Sequence, residues 1–266
     1  MKKLALIAGS GDLPLEFVKS VKKQSKNLVV FALKDMASLE LNKEADKIYW
    51  LDIGEYTKFV FLLLKERIKQ VVLLGKVSKN VIYKTDKYEK KAKQAISSLH
   101  NKKDYSILKQ ITKHFARIGI EVVDGIDFLS HLLVEKGILG NENIDKKIEE
   151  DIIFGYEIAK KIADLDIGQT IIVKDKSVVA VEAMEGTDNT IERAREIAGE
   201  SCVMIKVSRS NQDLRWDVPT IGLDTMKKLV ENQYKAIAIE SKKMFILNKE
   251  QVSSLAKDKG VIIKIL

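Results

Sequence analysis

One cysteine, three histidines and two prolines in 266 residues close off several kinds of protein for this chain. A single thiol, Cys202, can form neither an internal disulfide framework nor a cysteine-based zinc finger, and this usage fits a reducing compartment. His100, His114 and His131 are too few and too scattered for a histidine-rich metal site. No apolar run approaches the roughly 18–20 residues that a membrane-spanning helix needs. The opening Met1-Lys2-Lys3 has the charge of a secretory leader, but the apolar run Leu4–Ala8 stops at a Gly-Ser-Gly-Asp turn. A buried first strand is therefore the reading there. Aromatic side chains are also scarce, at 6%.

What remains is a chain with 45% apolar and 32% charged residues, enough to build a core and too apolar for a disordered segment. Its length gives about two domains as a first expectation. The net charge of +8 is unevenly placed. Residues 1–130 carry 25 basic and 15 acidic side chains, whereas residues 131–266 carry 21 and 23. Residues 76–117 alone carry 12 basic and 3 acidic. Basicity is thus a local feature, part of which a lysine-biased genome would also produce.

Short apolar runs alternate with longer amphipathic stretches. Leu4–Ala8, Leu28–Leu33, Lys47–Leu51, Val71–Leu74 and Ile120–Val123 read as strands, with helices over Leu13–Gln24, Glu55–Lys69 and about 85–118 between them. Continuous apolar strands separated by helices indicate a parallel sheet covered on both faces, the Rossmann-like α/β pattern. This first domain is expected over 1–135. The stretch 136–147, rich in glycine and asparagine, reads as a linker. A second α/β domain of mixed sheet type is expected over 148–266. It has a hairpin across Asp175-Lys176, strands Cys202–Val207, Ala236–Ile239, Met244–Leu247 and Val261–Ile265, and a long polar loop over 208–220.

Five motifs carry candidate chemistry. Gly9-Ser10-Gly11 follows the first strand and opens a helix at Pro14, where glycines let backbone amides approach an anion and the helix dipole favours it. Proline stands where a dinucleotide fingerprint needs its third glycine, so a nicotinamide site is not expected. Gly75-Lys76 closes the fourth strand, at the carboxyl edge where open α/β sheets bind ligands, without Walker spacing. Asp166-Ile167-Gly168-Gln169-Thr170 precedes a strand. Glu182-Ala183-Met184-Glu185-Gly186-Thr187-Asp188 turns from a strand into a helix, where Thr187 or Asp188 can act as a cap and the carboxylates can hold a divalent cation. Lys206 leads into the polar loop, whose Asp213 and Asp217 are candidates for a metal ligand or a general base. Cys202 lies in an apolar strand and reads as core.

Taken together, LALIAGSGDLP, VVLLGKV, LDIGQTIIVKDKSVVAVEAMEGTD and MIKVSRSNQDLRWDVPTIG resemble the LpxI family of UDP-2,3-diacylglucosamine pyrophosphatases, in order and over essentially the whole chain. The resemblance implies two α/β domains with a lipid-linked substrate bound between them. It implies hydrolysis of UDP-2,3-diacylglucosamine to UMP and 2,3-diacylglucosamine 1-phosphate (lipid X), with Mg²⁺ as the cofactor. It places the enzyme in the cytoplasm, peripheral to the anionic inner membrane of a Gram-negative bacterium, with a homodimer as a further expected partner. It makes Asp217 the catalytic aspartate, with Asp213 second. The substrate-binding set is then Gly9, Ser10, Gly11, Gly75, Lys76, Gln169, Glu185, Gly186, Thr187, Asp188 and Lys206, and the metal ligands are Asp217 and Asp188. The Lys-rich stretch 84–103 has no counterpart in this pattern.

Three other readings compete. A non-catalytic nucleotide or sugar-nucleotide binding protein would bind UMP or UDP without turnover. Nucleic-acid binding would need aromatic residues interleaved with basic ones; residues 76–117 offer Tyr83, Tyr88, Tyr105 and Phe115 but no recognised motif, so no nucleic-acid partner is expected. The basic stretch can also face anionic lipid headgroups, where each lysine gains on the order of 1 kcal/mol.

Overall fold

A computed structural model describes residues 3–77, 88–90, 93, 104–213, 215 and 218–266. The helix expected over about 85–118 therefore lies largely outside the described residues. Its described end is a helix over Asp104–Arg117. The chain divides into two compact units, the first ending at Ser130 and the second holding His131–Asp213 and Val218–Leu266.

The first unit is a five-stranded parallel sheet. Its strands are β1 (Leu4–Ala8), β2 (Leu28–Leu33), β3 (Ile48–Leu51), β4 (Gln70–Leu74) and β5 (Glu121–Val122), in the order β3-β2-β1-β4-β5. Strand β1 sits at the centre, Leu4–Ala8 in register with Leu28–Ala32 on one side and Gln70–Leu74 on the other. Apolar residues run without alternation because both faces are covered. On one face Ala5, Val29, Phe31 and Val71 pack with Leu62 and Leu63 of α3 (Tyr56–Lys65) and with Phe115 of α4 (Asp104–Arg117). On the other, Phe17 of α1 (Leu13–Lys23) meets Phe128 of the short α5 (Ile126–Leu129) edge to face at 5.2 Å. A four-residue α2 (Leu41–Glu44) lies between β2 and β3. Helix α3 stops short of the expected Lys69. Arg67 turns into the left-handed region at φ +55°, and Glu66 is held by Lys3 at 2.8 Å, Lys47 at 2.6 Å and the Tyr49 hydroxyl at 2.7 Å.

The second unit is a six-stranded mixed sheet. Its strands are β6 (Gly137–Gly140), β7 (Thr170–Lys174), β8 (Ser177–Val181), β9 (Val203–Lys206), β11 (Ala236–Ile239) and β13 (Ile262–Ile265), in the order β6-β13-β11-β9-β7-β8. A separate parallel pair joins β10 (Thr220–Ile221) to β12 (Phe245–Ile246). One face carries α6 (Lys146–Asp164), with Ile152 and Ala159 against Val203, Ile205 and Ala238. The other carries α7 (Thr187–Ala198), α8 (Leu223–Glu231) and α9 (Lys249–Asp258) over Met204, Ile237 and Ile263.

Two boundaries differ from the sequence reading. The expected linker 136–147 contains β6, which pairs antiparallel with β13, Gly140 opposite Ile262. Its glycines resemble a turn, yet they flank Ile138 and Leu139, which pack on opposite faces of the sheet. The first unit ends before residue 135, because Val134 is buried in the core of the second. Asp145 caps α6, accepting from Ile148 N at 2.8 Å.

Candidate functional site

In the first unit, the two glycine motifs stand at the carboxyl ends of the neighbouring strands β1 and β4. In the order 3-2-1-4-5 this is the point where the winding reverses and where such sheets form their ligand crevice. Here the two loops are stitched together. Ser10 N donates to Lys76 O and Lys76 N to Ser10 O, both at 2.9 Å, and Ser10 Oγ donates to Lys76 O at 3.0 Å. Gly9 N donates to Leu74 O at 2.8 Å. A Cβ on Gly9 would stand 2.6 Å from Lys76 O, and one on Gly75, at φ +93°, 2.7 Å from Gly9 C. These two glycines therefore allow a crossing of backbones, and the Gly9, Ser10 and Lys76 amides serve that crossing. Gly11 and the Lys76 side chain remain exposed at its edge. Helix α1 begins with no side-chain cap, and Pro14 removes one of its free amides.

In the second unit, Lys206 ends the buried strand β9 and is 8% exposed. Its Nζ donates to Thr170 Oγ1 at 3.1 Å and to Thr187 Oγ1 at 3.0 Å. The Thr187 hydroxyl in turn donates to Glu182 Oε1 at 2.8 Å. The other carboxylate oxygen, Glu182 Oε2, is buried, has no hydrogen-bond partner and lies 3.9 Å from the ammonium. Thr187 is the first residue of α7, and Gly186 ahead of it turns at φ +83°. An ammonium, two hydroxyls and a helix N-terminus thus converge at one strand end, a combination that favours phosphate oxygens.

The rest of the 182–188 motif builds the corner. Glu185 accepts from Ala183 N at 3.1 Å and from Arg193 at 2.7 Å. Its own backbone amide and the Arg193 guanidinium hold its carboxyl below the ordinary glutamate value, against the opposing effect of burial. Asp188 is exposed in the first turn of α7. Gly168 packs so tightly that a Cβ there would fall 1.9 Å from Glu182 O.

The polar loop is lashed down at its start. Ser208 donates both its amide and its hydroxyl to Glu240 Oε2, each at 2.6 Å. Ser210 donates its amide and hydroxyl to Asp164, each at 2.7 Å, and Arg209 pairs with Asp166 at 3.1 Å. The Ser210 bonds hold the Asp164 carboxyl below its usual range. Gln169 Nε2 reaches Gln212 Oε1 at 3.4 Å. Asp213 follows at the described end of this segment, and Asp217 lies outside the described residues.

The structure therefore gathers Lys206, Thr187 and Gln169 near one strand end, with Glu185, Gly186 and Asp188 forming the adjoining corner. Sequence reasoning did not nominate Thr170, although it stands in a quoted motif, and it read Glu182 only among the carboxylates that can hold a cation. It missed Tyr156, Lys160 and Glu240 altogether. A signal for these existed: Tyr156 and Lys160 share one helix face at i, i+4, and Glu240 directly follows the wholly apolar strand Ala236–Ile239.

Among the described residues no three histidine, cysteine, aspartate or glutamate side chains gather to hold a metal ion. Magnesium commonly takes only one or two carboxylates and completes its shell with waters and substrate phosphates. Asp188, an exposed carboxylate in the first turn of α7 next to Thr187, suits an ion of that kind and not a closed protein cage.

Comparison with known proteins matches residues 3–132 to the LpxI N-terminal domain and 135–264 to the LpxI C-terminal domain. The UDP-2,3-diacylglucosamine pyrophosphatase LpxI of Caulobacter vibrioides is 28% identical over 275 residues, covering 99% of this chain and 97% of the relative. Among solved structures, L-threonine dehydrogenase from Phytophthora infestans is 10% identical with a TM-score of 0.29, covering 45% of this chain and 34% of its own. A biotin carboxylase complex from Campylobacter jejuni is 16% identical with a TM-score of 0.25, covering 74% and 42%. At such scores these two likenesses say nothing about ligand or chemistry.

Proposed function

The chain belongs to the LpxI family, and from that premise we propose that it hydrolyses the pyrophosphate of UDP-2,3-diacylglucosamine, the substrate in the name of its Caulobacter relative. The products are UMP and 2,3-diacylglucosamine 1-phosphate. The observation that carries this reading is the buried Lys206 ammonium between two threonine hydroxyls at the start of α7.

Pyrophosphate hydrolysis needs negative charge neutralised on phosphoryl oxygens and a water held in line. Lys206 supplies a fixed positive charge with little water around it, where electrostatic attraction is strong. The free amides of the first turn of α7 donate to phosphate oxygens, while Thr187, whose hydroxyl proton goes to Glu182, holds the ammonium in place. Asp217, or Asp213 in its place, accepts a proton from the attacking water. Gly11 and Lys76, exposed at the switch point of the first sheet, are that unit's own candidates for contact with a nucleotide. Asp188 and Asp217 would hold a magnesium ion, which would supply further charge neutralisation at the substrate's phosphates.

The direct test is incubation with UDP-2,3-diacylglucosamine and Mg²⁺, expecting release of UMP, and loss of that release on adding EDTA. Tight UMP binding without turnover would overturn the enzymatic reading. Asp217→Ala is expected to abolish hydrolysis while leaving the far-ultraviolet circular dichroism unchanged, and near-wild-type turnover would remove Asp217 from its role. A diacylated substrate supports a place at a membrane surface, which we propose is the cytoplasmic face of the inner membrane, and co-sedimentation with anionic vesicles tests that association. No helix of the described residues is long and apolar enough to cross a membrane.

A further inference from the structure

Glu240 directly follows β11 and is 3% exposed. Four donor groups from three residues reach its carboxylate. Ser208 N and Ser208 Oγ reach Oε2 at 2.6 Å each, and Tyr156 Oη and Lys160 Nζ reach Oε1 at 3.0 and 3.1 Å. A carboxylate accepts at both oxygens and fits four donors, whereas a glutamine would have to turn its NH₂ toward one pair of them. Lys160 then closes the ring by donating to Ser208 O at 2.5 Å. One buried ion pair thus holds the amide, the hydroxyl and the carbonyl of Ser208. Ser208 is where the chain leaves the sheet after β9, and it is fully buried. Lys243, half exposed at 3.7 Å from Oε1, adds only an outer charge.

A buried ion pair is weak evidence for stability by itself, because desolvation offsets much of the attraction. Its position is the informative part. It sits at the root of the loop that carries Asp213 and Asp217, and every polar atom it fixes on that side belongs to the loop's first residue. Ser210 and Arg209 are then tied to Asp164 and Asp166, at the end of α6 and just beyond it, so the direction set at Ser208 is carried forward.

We infer that Glu240, with Lys160, is a positioning residue for the hydrolysis: it fixes the direction in which the loop leaves the sheet toward Asp213. The inference rests on the reading of that loop as catalytic.

Glu240→Gln is the test. It is expected to lower kcat at least tenfold with KM changed less than threefold. Amide hydrogen exchange should rise over residues 208–212 and stay slow in β9 and β11. Ser208→Ala, which keeps the carboxylate and the backbone bond, should give a smaller kcat loss and a smaller rise in exchange at the same residues. It remains informative if Glu240→Gln fails to fold. Lys243→Ala should leave both readouts at wild type. Wild-type kcat and wild-type loop exchange in Glu240→Gln and Ser208→Ala would overturn the inference. So would a rise in exchange spread evenly over the second unit, which is the signature of a purely structural role. If the unaltered protein releases no UMP, the catalytic reading fails instead, and the exchange pattern still reports whether Glu240 holds the loop.

Discussion

Lys206 is an ammonium almost without water, and the physics of such a charge sets what its replacement does. Lys206→Met would remove the charge and leave Glu182 as a buried carboxylate facing no cation. We expect a loss of about 3 kcal/mol in urea unfolding, at the low end for breaking a buried pair because the 3.9 Å contact is long. UMP release should fall by at least 100-fold. Gly168→Ala tests the same corner sterically. A methyl group 1.9 Å from Glu182 O must push backbone against backbone, and we expect about 1–3 kcal/mol of destabilisation with reduced turnover. Glu66, in the first unit, gives a pH signature. Lys3, Lys47 and Tyr49 hold its carboxyl at about 2, below the ordinary 4.5. The folded value lies below the unfolded one, so this contribution is complete above pH 4.5 and is lost as the pH falls through about 2. Wild type should therefore lose more urea resistance between pH 5 and pH 2 than Glu66→Gln does.

At the scale of elements, the β7–β8 hairpin shows a turn specified from outside itself. Asp175 and Lys176 both adopt positive φ, at 52° and 54°, which suits a two-residue turn and an aspartate but not the lysine side chain. Asp151 of α6, 3% exposed, accepts the amides of Asp175 at 3.1 Å and Lys176 at 2.6 Å and holds the turn in place. Asp151→Ala should cost about 1–2 kcal/mol, measurable by denaturant unfolding, because two oriented amides lose their acceptor. The same contrast explains what could be read before the structure. The central strands were legible because parallel strands buried on both faces are unbroken apolar runs, as in Leu28–Leu33 and Ala236–Ile239. Strand β6 was not, because two glycines around two apolar residues resemble a turn until β13 pairs with them. In the site, Lys206 and Thr187 were legible because their motifs are contiguous. Glu240 was not, since its partners Lys160 and Ser208 come from 80 and 32 residues away. Its place after an apolar strand marks it as a candidate, but only the fold shows which distant residues it anchors.

At the scale of the molecule, each unit has its own sheet and its own buried cluster. Cores of that kind unfold as separate cooperative blocks when the contacts between blocks are few. In calorimetry of the intact protein, Glu66→Ala is expected to shift one transition and Asp151→Ala another. A single transition moved equally by both would show that the two units melt as one.

The pairing of β6 with β13 has a consequence for biosynthesis. Gly140 meets Ile262, so the first strand of the second sheet waits for a partner roughly 120 residues later in the chain. A ribosome adding about 5–20 residues per second exposes β6 for some 6–24 s before β13 emerges. During that interval the Gly-Ile-Leu-Gly edge and its neighbours are open to other strands, and long-range closure of this kind is slow once begun. Shortening the chain before Ile262 would leave β6 and β11 permanently without that partner. Such a fragment is expected to accumulate in inclusion bodies, whereas the first unit, whose five strands are complete by Val122, can close while synthesis continues.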